Sequence, residues 1–123
     1  MLDTSKPIAF IPTGDADRAR PFFENTLNLR FLSDDGFALN FLTAGILLRV
    51  VRVGEFSPQI FTIFGWDVPD VEAAVAELSG RGVQFLQIHG MKQSPTGVWT
   101  APGGAKVAWF KDPDGNTLSV SQH

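Results

Sequence analysis

The chain lacks cysteine and tyrosine and has only two histidines, His89 and His123. Without cysteine there is no disulfide, no thiol nucleophile, no thiolate-held zinc and no iron–sulfur cluster. Without tyrosine there is no phenolic acid or base, and two imidazoles cannot make a three-histidine metal site in one chain. Positive charge is scarce: 10 basic residues against 13 acidic ones leave a net charge of −3. No basic cluster exceeds a pair, which disfavours nucleic-acid binding through phosphates. No apolar run reaches the roughly 18 residues needed to span a bilayer. The first residues, Met1 to Lys6, show no basic stretch followed by an apolar one. These gaps point to a cytoplasmic protein that engages neither nucleic acid nor membrane. The chemistry left open rests on carboxylates, hydroxyls, Lys and Arg, and at most His89 and His123.

What is present is globular in character. Apolar residues make up 44% and charged residues 19% of 123 residues, enough for one ordinary domain, residues 1–123, with its own core. The ring-bearing residues are 11 Phe and 3 Trp. Most of the Phe belong to core packing.

One pattern occurs twice. The run Ile8-Ala9-Phe10-Ile11 is followed by a turn at Gly14-Asp15. A helical spacing of Ala19, Phe22, Phe23 and Leu27 comes next, then Leu29-Arg30-Phe31. The run Phe61 to Trp66 is followed by Pro69-Asp70, a helical spacing of Val71, Ala74, Val75 and Leu78, a stop at Gly80 and Gly82, and Val83-Gln84-Phe85. Asp15 and Asp70 each stand where a helix N-cap belongs. Two further strands follow each unit. Phe37 to Phe41 and Ile46 to Val51 flank Ala44-Gly45, while Lys106 to Phe110 and Thr117 to Val120 flank Asp112-Pro113-Asp114-Gly115-Asn116. These are hairpin signals, because Gly and Asn accept positive φ and Pro fixes φ. Each half therefore reads β-α-β-β-β, at about 7–53 and 60–122, in an α+β fold. Gly54 to Pro58 reads as a linker. The Gly- and Pro-rich stretch Gly90 to Gly104 is long enough to be a lid or rim.

The paired βαβββ modules resemble the vicinal oxygen chelate superfamily, which includes glyoxalases, bleomycin-resistance proteins and extradiol dioxygenases. The residues that carry the resemblance are Asp15 to Phe23 and Asn25 to Leu29 in the first half. In the second they are Asp70 to Leu78, Arg81-Gly82-Val83 and, most specifically, Asp112 to Asn116. The resemblance implies a cup-shaped, eight-stranded mixed sheet with the helices outside, and a chain that pairs into a homodimer. It also implies where metal-dependent members hold a divalent ion. Those four positions fall on Ile8, Ile63, Arg49 and Ser119. Isoleucine has no donor atom and arginine is a permanent cation, so no metal and no other cofactor is expected.

Strand alternation sends residues i and i+2 to one face. If Ile8 and Ile63 face the cup, so do Phe10 and Phe61, giving apolar walls with the hydroxyl of Ser119 and the guanidinium of Arg49. Phe41, Trp99 and Trp109 supply further flat walls, Trp99 from within the Gly90–Gly104 stretch. Such a lining suits a small-molecule pocket. Arg49 on that face needs a partner: a ligand carboxylate or phosphate, or Asp67; alternatively it points outward. Arg52, on the opposite face, is expected to be solvated. The candidate ligand-binding set is thus Ile8, Phe10, Phe41, Arg49, Phe61, Ile63, Trp99, Trp109 and Ser119. The reading is a metal-independent small-molecule-binding protein of the glyoxalase/bleomycin-resistance type, taking an apolar or aromatic, and optionally acidic, ligand. The alternatives are a lyase, isomerase or dioxygenase-like enzyme with a non-standard site, or an accessory module whose cup is filled by side chains.

Overall fold

A computed structural model describes all 123 residues. The chain forms two compact units, Met1–Ser57 and Pro58–His123. Each holds one four-stranded mixed sheet, and neither sheet closes on itself. No helix is long and apolar enough to cross a membrane.

The first unit opens with a short 3₁₀ turn, Leu2–Thr4, followed by strand β1 (Ile8–Thr13), helix α1 (Ala16–Pro21) and strands β2 (Arg30–Asp34), β3 (Ala38–Thr43) and β4 (Ile46–Arg52). The sheet order is β1-β4-β3-β2, with β1 parallel to β4 and the other pairs antiparallel. Asp15 caps α1, its carboxylate accepting the backbone N–H of Arg18 at 3.2 Å. The helical spacing expected through Leu27 does not continue as one α-helix. Pro21 has no N–H to give and its ring crowds the preceding turn. The chain widens there into a π-helical turn, Phe22–Thr26, in which Leu27 N–H reaches the Phe22 carbonyl at 2.9 Å.

That widened turn delivers Phe23 into the core. Its ring packs against Phe41, with centroids 5.8 Å apart, and Phe41 packs in turn against Phe31 at 5.6 Å. Ile11, Ala19, Leu48 and Val50 complete a fully buried layer under α1. Burying each of the larger side chains stabilises the unit by roughly 2 kcal/mol. The β3–β4 hairpin turns on Ala44 (φ 48°) and Gly45 (φ 77°). Positive φ at both central residues matches the two-residue turn that follows strand twist.

The second unit contains strand β5 (Thr62–Asp67), helix α2 (Val71–Gly80) and strands β6 (Trp99–Thr100), β7 (Lys106–Lys111) and β8 (Thr117–Gln122). Its order, β5-β8-β7-β6 with β5 parallel to β8, repeats that of the first unit. Asp70 caps α2 by accepting Ala73 N–H at 3.2 Å, and the Gln122 side chain accepts Val71 N–H at 3.0 Å. The last strand thereby ties down the first turn of the helix. Val71, Val75, Leu118, Val120, Ala108 and Phe110 form the buried layer.

One expected strand is nearly absent. Val83 to Phe85 makes a single bridge, Phe85 to Phe110, and Leu86 N–H reaches the Trp109 carbonyl at 2.8 Å. The chain then leaves the sheet and returns as β6, so two short segments share the outer edge of β7. The excursion between them is pinned rather than loose. The Gln93 carboxamide donates to the carbonyls of Leu86 (2.8 Å) and Gly97 (2.7 Å) and accepts Ile88 N–H (2.6 Å). Ser94 and Val98 close the inner turn through backbone and hydroxyl bonds. The lid expected over Gly90–Gly104 is thus a braced loop that contains the two-residue strand Trp99–Thr100.

Candidate functional site

In the first unit the two sheet faces divide the expected site residues. Register pairs Ile8 with Leu47, Phe10 with Arg49 and Asn40 with Arg49. Ile8, Phe10 and Arg49 therefore share the face away from α1, where Ile8 and Phe10 remain exposed. Phe41 pairs with Leu48 and is fully buried against Phe23 and Phe31. It belongs to the core under α1, on the opposite face from Arg49.

Arg49 is satisfied within its own unit. Its Nη1 donates to Asp35 Oδ2 at 2.8 Å and to Asn40 Oδ1 at 2.9 Å. The partner is Asp35, not Asp67. Asn40 itself donates to Ser33 Oγ and Asp35 Oδ2. Hydrogen bonds from Asn40 first, then from the Ala38 backbone and Arg49, hold the Asp35 carboxyl well below the ordinary carboxylate range. The next residue is paired as well. Arg52 grips Asp34 with two bonds of 2.8 Å, and that pairing lowers the Asp34 carboxyl to about 2. These contacts brace the β2–β3 turn, and they leave Arg49 committed before any ligand arrives. The expected solvation of Arg52 is modified accordingly: it is exposed, but in an ion pair.

In the second unit Trp99, Trp109 and Ser119 share the face away from α2. Trp109 pairs with Ser119 in register, and the Trp99 and Trp109 rings lie 6.1 Å apart with a 36° tilt. Trp99 is a half-buried strand residue within the Gly90–Gly104 stretch. Gly65 lies beside Ser119 in register. A Cβ at Gly65 would collide with Ser119 Oγ and stand 3.0 Å from the Ser119 carbonyl oxygen, so only glycine allows this approach. The strict alternation expected across Phe61, Ile63 and Gly65 is broken by a bulge between Thr62 and Phe64. The bulge brings Thr62 to the side of Trp109, whose Nε1–H donates to Thr62 Oγ1 at 3.0 Å.

Beside this Trp109–Thr62 bond lies a groove of about 570 Å³, built entirely from the second unit. Trp109, Ile60, Phe61, Leu86 and Ile88 form apolar walls, Thr62 and Thr117 supply hydroxyls, and Lys111 is the one charged lining residue. Ile60 is 97% and Phe61 60% exposed. Of the nine expected site residues, Phe61 and Trp109 line this groove; Ile63, Trp99 and Ser119 do not. Sequence reasoning missed Ile60, Leu86, Ile88 and Lys111. Ile60 stood at the edge of an apparent linker, Leu86 and Ile88 followed a failed strand, and Lys111 adjoined a turn motif. That turn is strongly built: buried Asp112 accepts Asn116 N–H (2.9 Å), Asn116 Nδ2 (2.8 Å) and Asp114 N–H (3.0 Å). Burial pushes its carboxyl above the ordinary value, against those donors.

The four positions that the resemblance assigns to metal ligands are, in each unit by itself, Ile8 with Arg49 and Ile63 with Ser119. Two hydrocarbon side chains, a guanidinium engaged by Asp35 and a single hydroxyl do not fit a divalent ion. The His, Asp and Glu side chains elsewhere form no group of three or more able to hold one. His89 and His123 are both exposed.

A family model described as the Glyoxalase/Bleomycin resistance protein/Dioxygenase superfamily matches residues 6–120. Among solved structures, a member of that superfamily from Sphaerobacter thermophilus DSM 20745 is 19% identical, with all of both chains covered and a TM-score of 0.76. Lactoylglutathione lyase from Agrobacterium tumefaciens is 15% identical over 97% of this chain and 93% of its own, with a TM-score of 0.74. A glyoxalase family protein from Enterococcus faecalis is 16% identical over 98% and 99%, with a TM-score of 0.75. At these identities the structural likeness speaks for the fold alone. Among curated proteins, none matches the chain in sequence.

Proposed function

The chain belongs to the Glyoxalase/Bleomycin resistance protein/Dioxygenase superfamily, and from that premise we propose that it is a metal-independent small-molecule-binding protein of the bleomycin-resistance kind. The observation that carries this reading is the groove of the second unit walled by Trp109 and Phe61, in a unit where Ile63 and Ser119 stand at the positions that the resemblance assigns to metal ligands. The groove's size falls within the few hundred to about 1,000 Å³ typical of small-ligand sites. Its apolar walls with a few polar groups suit an apolar or aromatic ligand. A lyase or isomerase reading has less support, because Arg49, the cation on which it relied, is already paired.

Lack of cysteine accords with a cytoplasmic location. Exposed Ile8 and Phe10 on β1, the edge strand of the first sheet, accord with a homodimer, since edge strands and exposed apolar side chains invite pairing. Light scattering on the purified chain is expected to give twice the mass of one chain.

The test of the binding reading is direct. Protein purified from its host is analysed for metals, and its tryptophan fluorescence is titrated with a naphthalene probe. The expected result is no stoichiometric Zn, Ni, Mn or Fe together with saturable quenching. About one metal ion per chain, removed by chelation with loss of probe binding, overturns the reading.

A further inference from the structure

We infer that the second unit's groove selects aromatic acids, with Lys111 as the residue that recognises the acid group. This rests on the binding reading above and adds the ligand class and the selecting side chain. Arg49 is the cation that alternation brought forward, but Asp35 and Asn40 already occupy its Nη1. Arg52 is held by Asp34, Arg20 by Glu24 and Arg81 by Glu77. Lys111 stands in a different setting. It is exposed, it lines the groove, and no carboxylate lines the groove with it. Its neighbour in sequence, Asp112, is buried and engaged by Asn116 and Asp114, and it is absent from the lining.

The walls complete the argument. The Trp109 N–H is taken by Thr62 Oγ1, so the indole presents its ring, not a free donor, to an incoming molecule. Phe61 adds a second ring, and Ile60 and Ile88 add exposed aliphatic surface that a flat ring system would cover. A planar apolar body with one anionic group satisfies both halves of this surface. A neutral ring leaves the ammonium without a partner, and a small inorganic anion leaves the aromatic walls wet. An ammonium is a compact point charge, so the surface sets no bidentate geometry, and carboxylates and sulfonates belong to one class here.

The experiment compares two matched probes, 2-naphthoate and the neutral 2-naphthamide, by calorimetry on the full chain and three variants. The parent is expected to favour naphthoate roughly fivefold, the scale of one charge-assisted contact at a partly exposed site. That preference shrinks as salt rises. Lys111→Met is expected to abolish the preference while leaving naphthamide binding within about twofold, and Lys111→Arg to keep it, because the side chain is exposed and folding does not depend on it. Ile60→Ser, at a position almost fully exposed, is expected to weaken both probes alike. Equal affinity of the parent for the two probes, or a preference that survives Lys111→Met, overturns the assignment. If naphthamide binds and Ile60→Ser weakens it while the preference is missing, the groove binds ligands but Lys111 does not select acids. If neither probe binds the parent at about 1 mM, weaker than about 4 kcal/mol of binding free energy, the binding reading falls as well.

Discussion

Replacing Arg49 by Met separates two roles for this charged side chain on the face away from α1. In the structure Arg49 is a strut. Its Nη1 donates to the Oδ1 of Asn40, whose residue is only 6% exposed, and to Asp35, while its own side chain is 26% exposed. Methionine keeps much of the stem but removes the donor. The Asn40 Oδ1 is then left in the sheet without a partner, while its Nδ2 stays bonded to Ser33 and Asp35. Orphaning a buried acceptor costs about 2 kcal/mol. The lost ion pair with exposed Asp35 is screened by solvent and adds nothing to that figure. For a chain of this length such a loss lowers Tm by roughly 8 °C. The assay is urea unfolding followed by tryptophan fluorescence, paired with a 2-naphthoate titration of the folded variant. The expected outcome is a lower midpoint with unchanged slope and naphthoate affinity within about twofold of the parent. A variant as stable as the parent that has lost naphthoate binding would refute the reasoning, because Arg49 would then be a ligand contact.

Gly65→Ala is expected to destabilise the second unit by about 2 kcal/mol through overpacking. Adding Ser119→Ala recovers only part of this, since the Ser119 carbonyl oxygen, 3.0 Å from the new Cβ, remains in place; full recovery in urea unfolding would show that the backbone is not the obstacle. Gln93→Leu removes three side-chain bonds to backbone groups and costs about 2 kcal/mol. Amide exchange at Ile88 and Val98 is expected to speed up well before the rest of the sheet, and unchanged protection there counts against the braced loop. Acid sensitivity follows from Asp34 and Asp35, both lowered in the folded chain. A lowered folded value means their contribution is complete above the ordinary carboxylate range and drains as pH falls through about 2, where Asp34 titrates. Urea midpoints measured from pH 6 downward are expected to fall in that window, and Arg52→Gln to flatten part of the fall; an unchanged profile in the variant would contradict it.

The repeat was legible because each unit spells out the same physical instructions. A half-buried apolar run comes first, then an aspartate that caps a helix, an apolar helical stripe and a hairpin. Asp15 and Asp70 both cap as read, and both sheets take the same strand order. The departures have local causes. Pro21 opens α1 into a π-helical turn, and the strand expected after α2 shrinks to the bridge from Phe85 to Phe110, while Trp99 and Thr100 pair with Val107 and Lys106. Helix spacing and apolar runs carry no information about which of two segments wins one sheet edge.

The site was legible only where register could be counted. A two-residue turn at Ala44-Gly45 fixes Thr43 opposite Ile46, hence Asn40 opposite Arg49 and Phe41 opposite Leu48. Counting from that turn assigns Asn40, not Phe41, as the neighbour of Arg49, and places Phe41 with the buried residues of β4; grouping aromatics by type alone obscures this. The bulge at Thr62–Phe64 is marked only by Gly65 just beyond it, and an isolated glycine in a strand signals a bulge or a close backbone approach without saying which residue is displaced. Yet that extra residue turns Thr62 toward Trp109 and helps shape the groove beside it. The groove itself gathers Ile60, Leu86 and the β7 pair Trp109 and Lys111 from three separate stretches of the chain. Their meeting depends on tertiary packing. Lys111 gains its meaning only there, where it lines a groove with Trp109 and neither carboxylate of the neighbouring turn lines it with them.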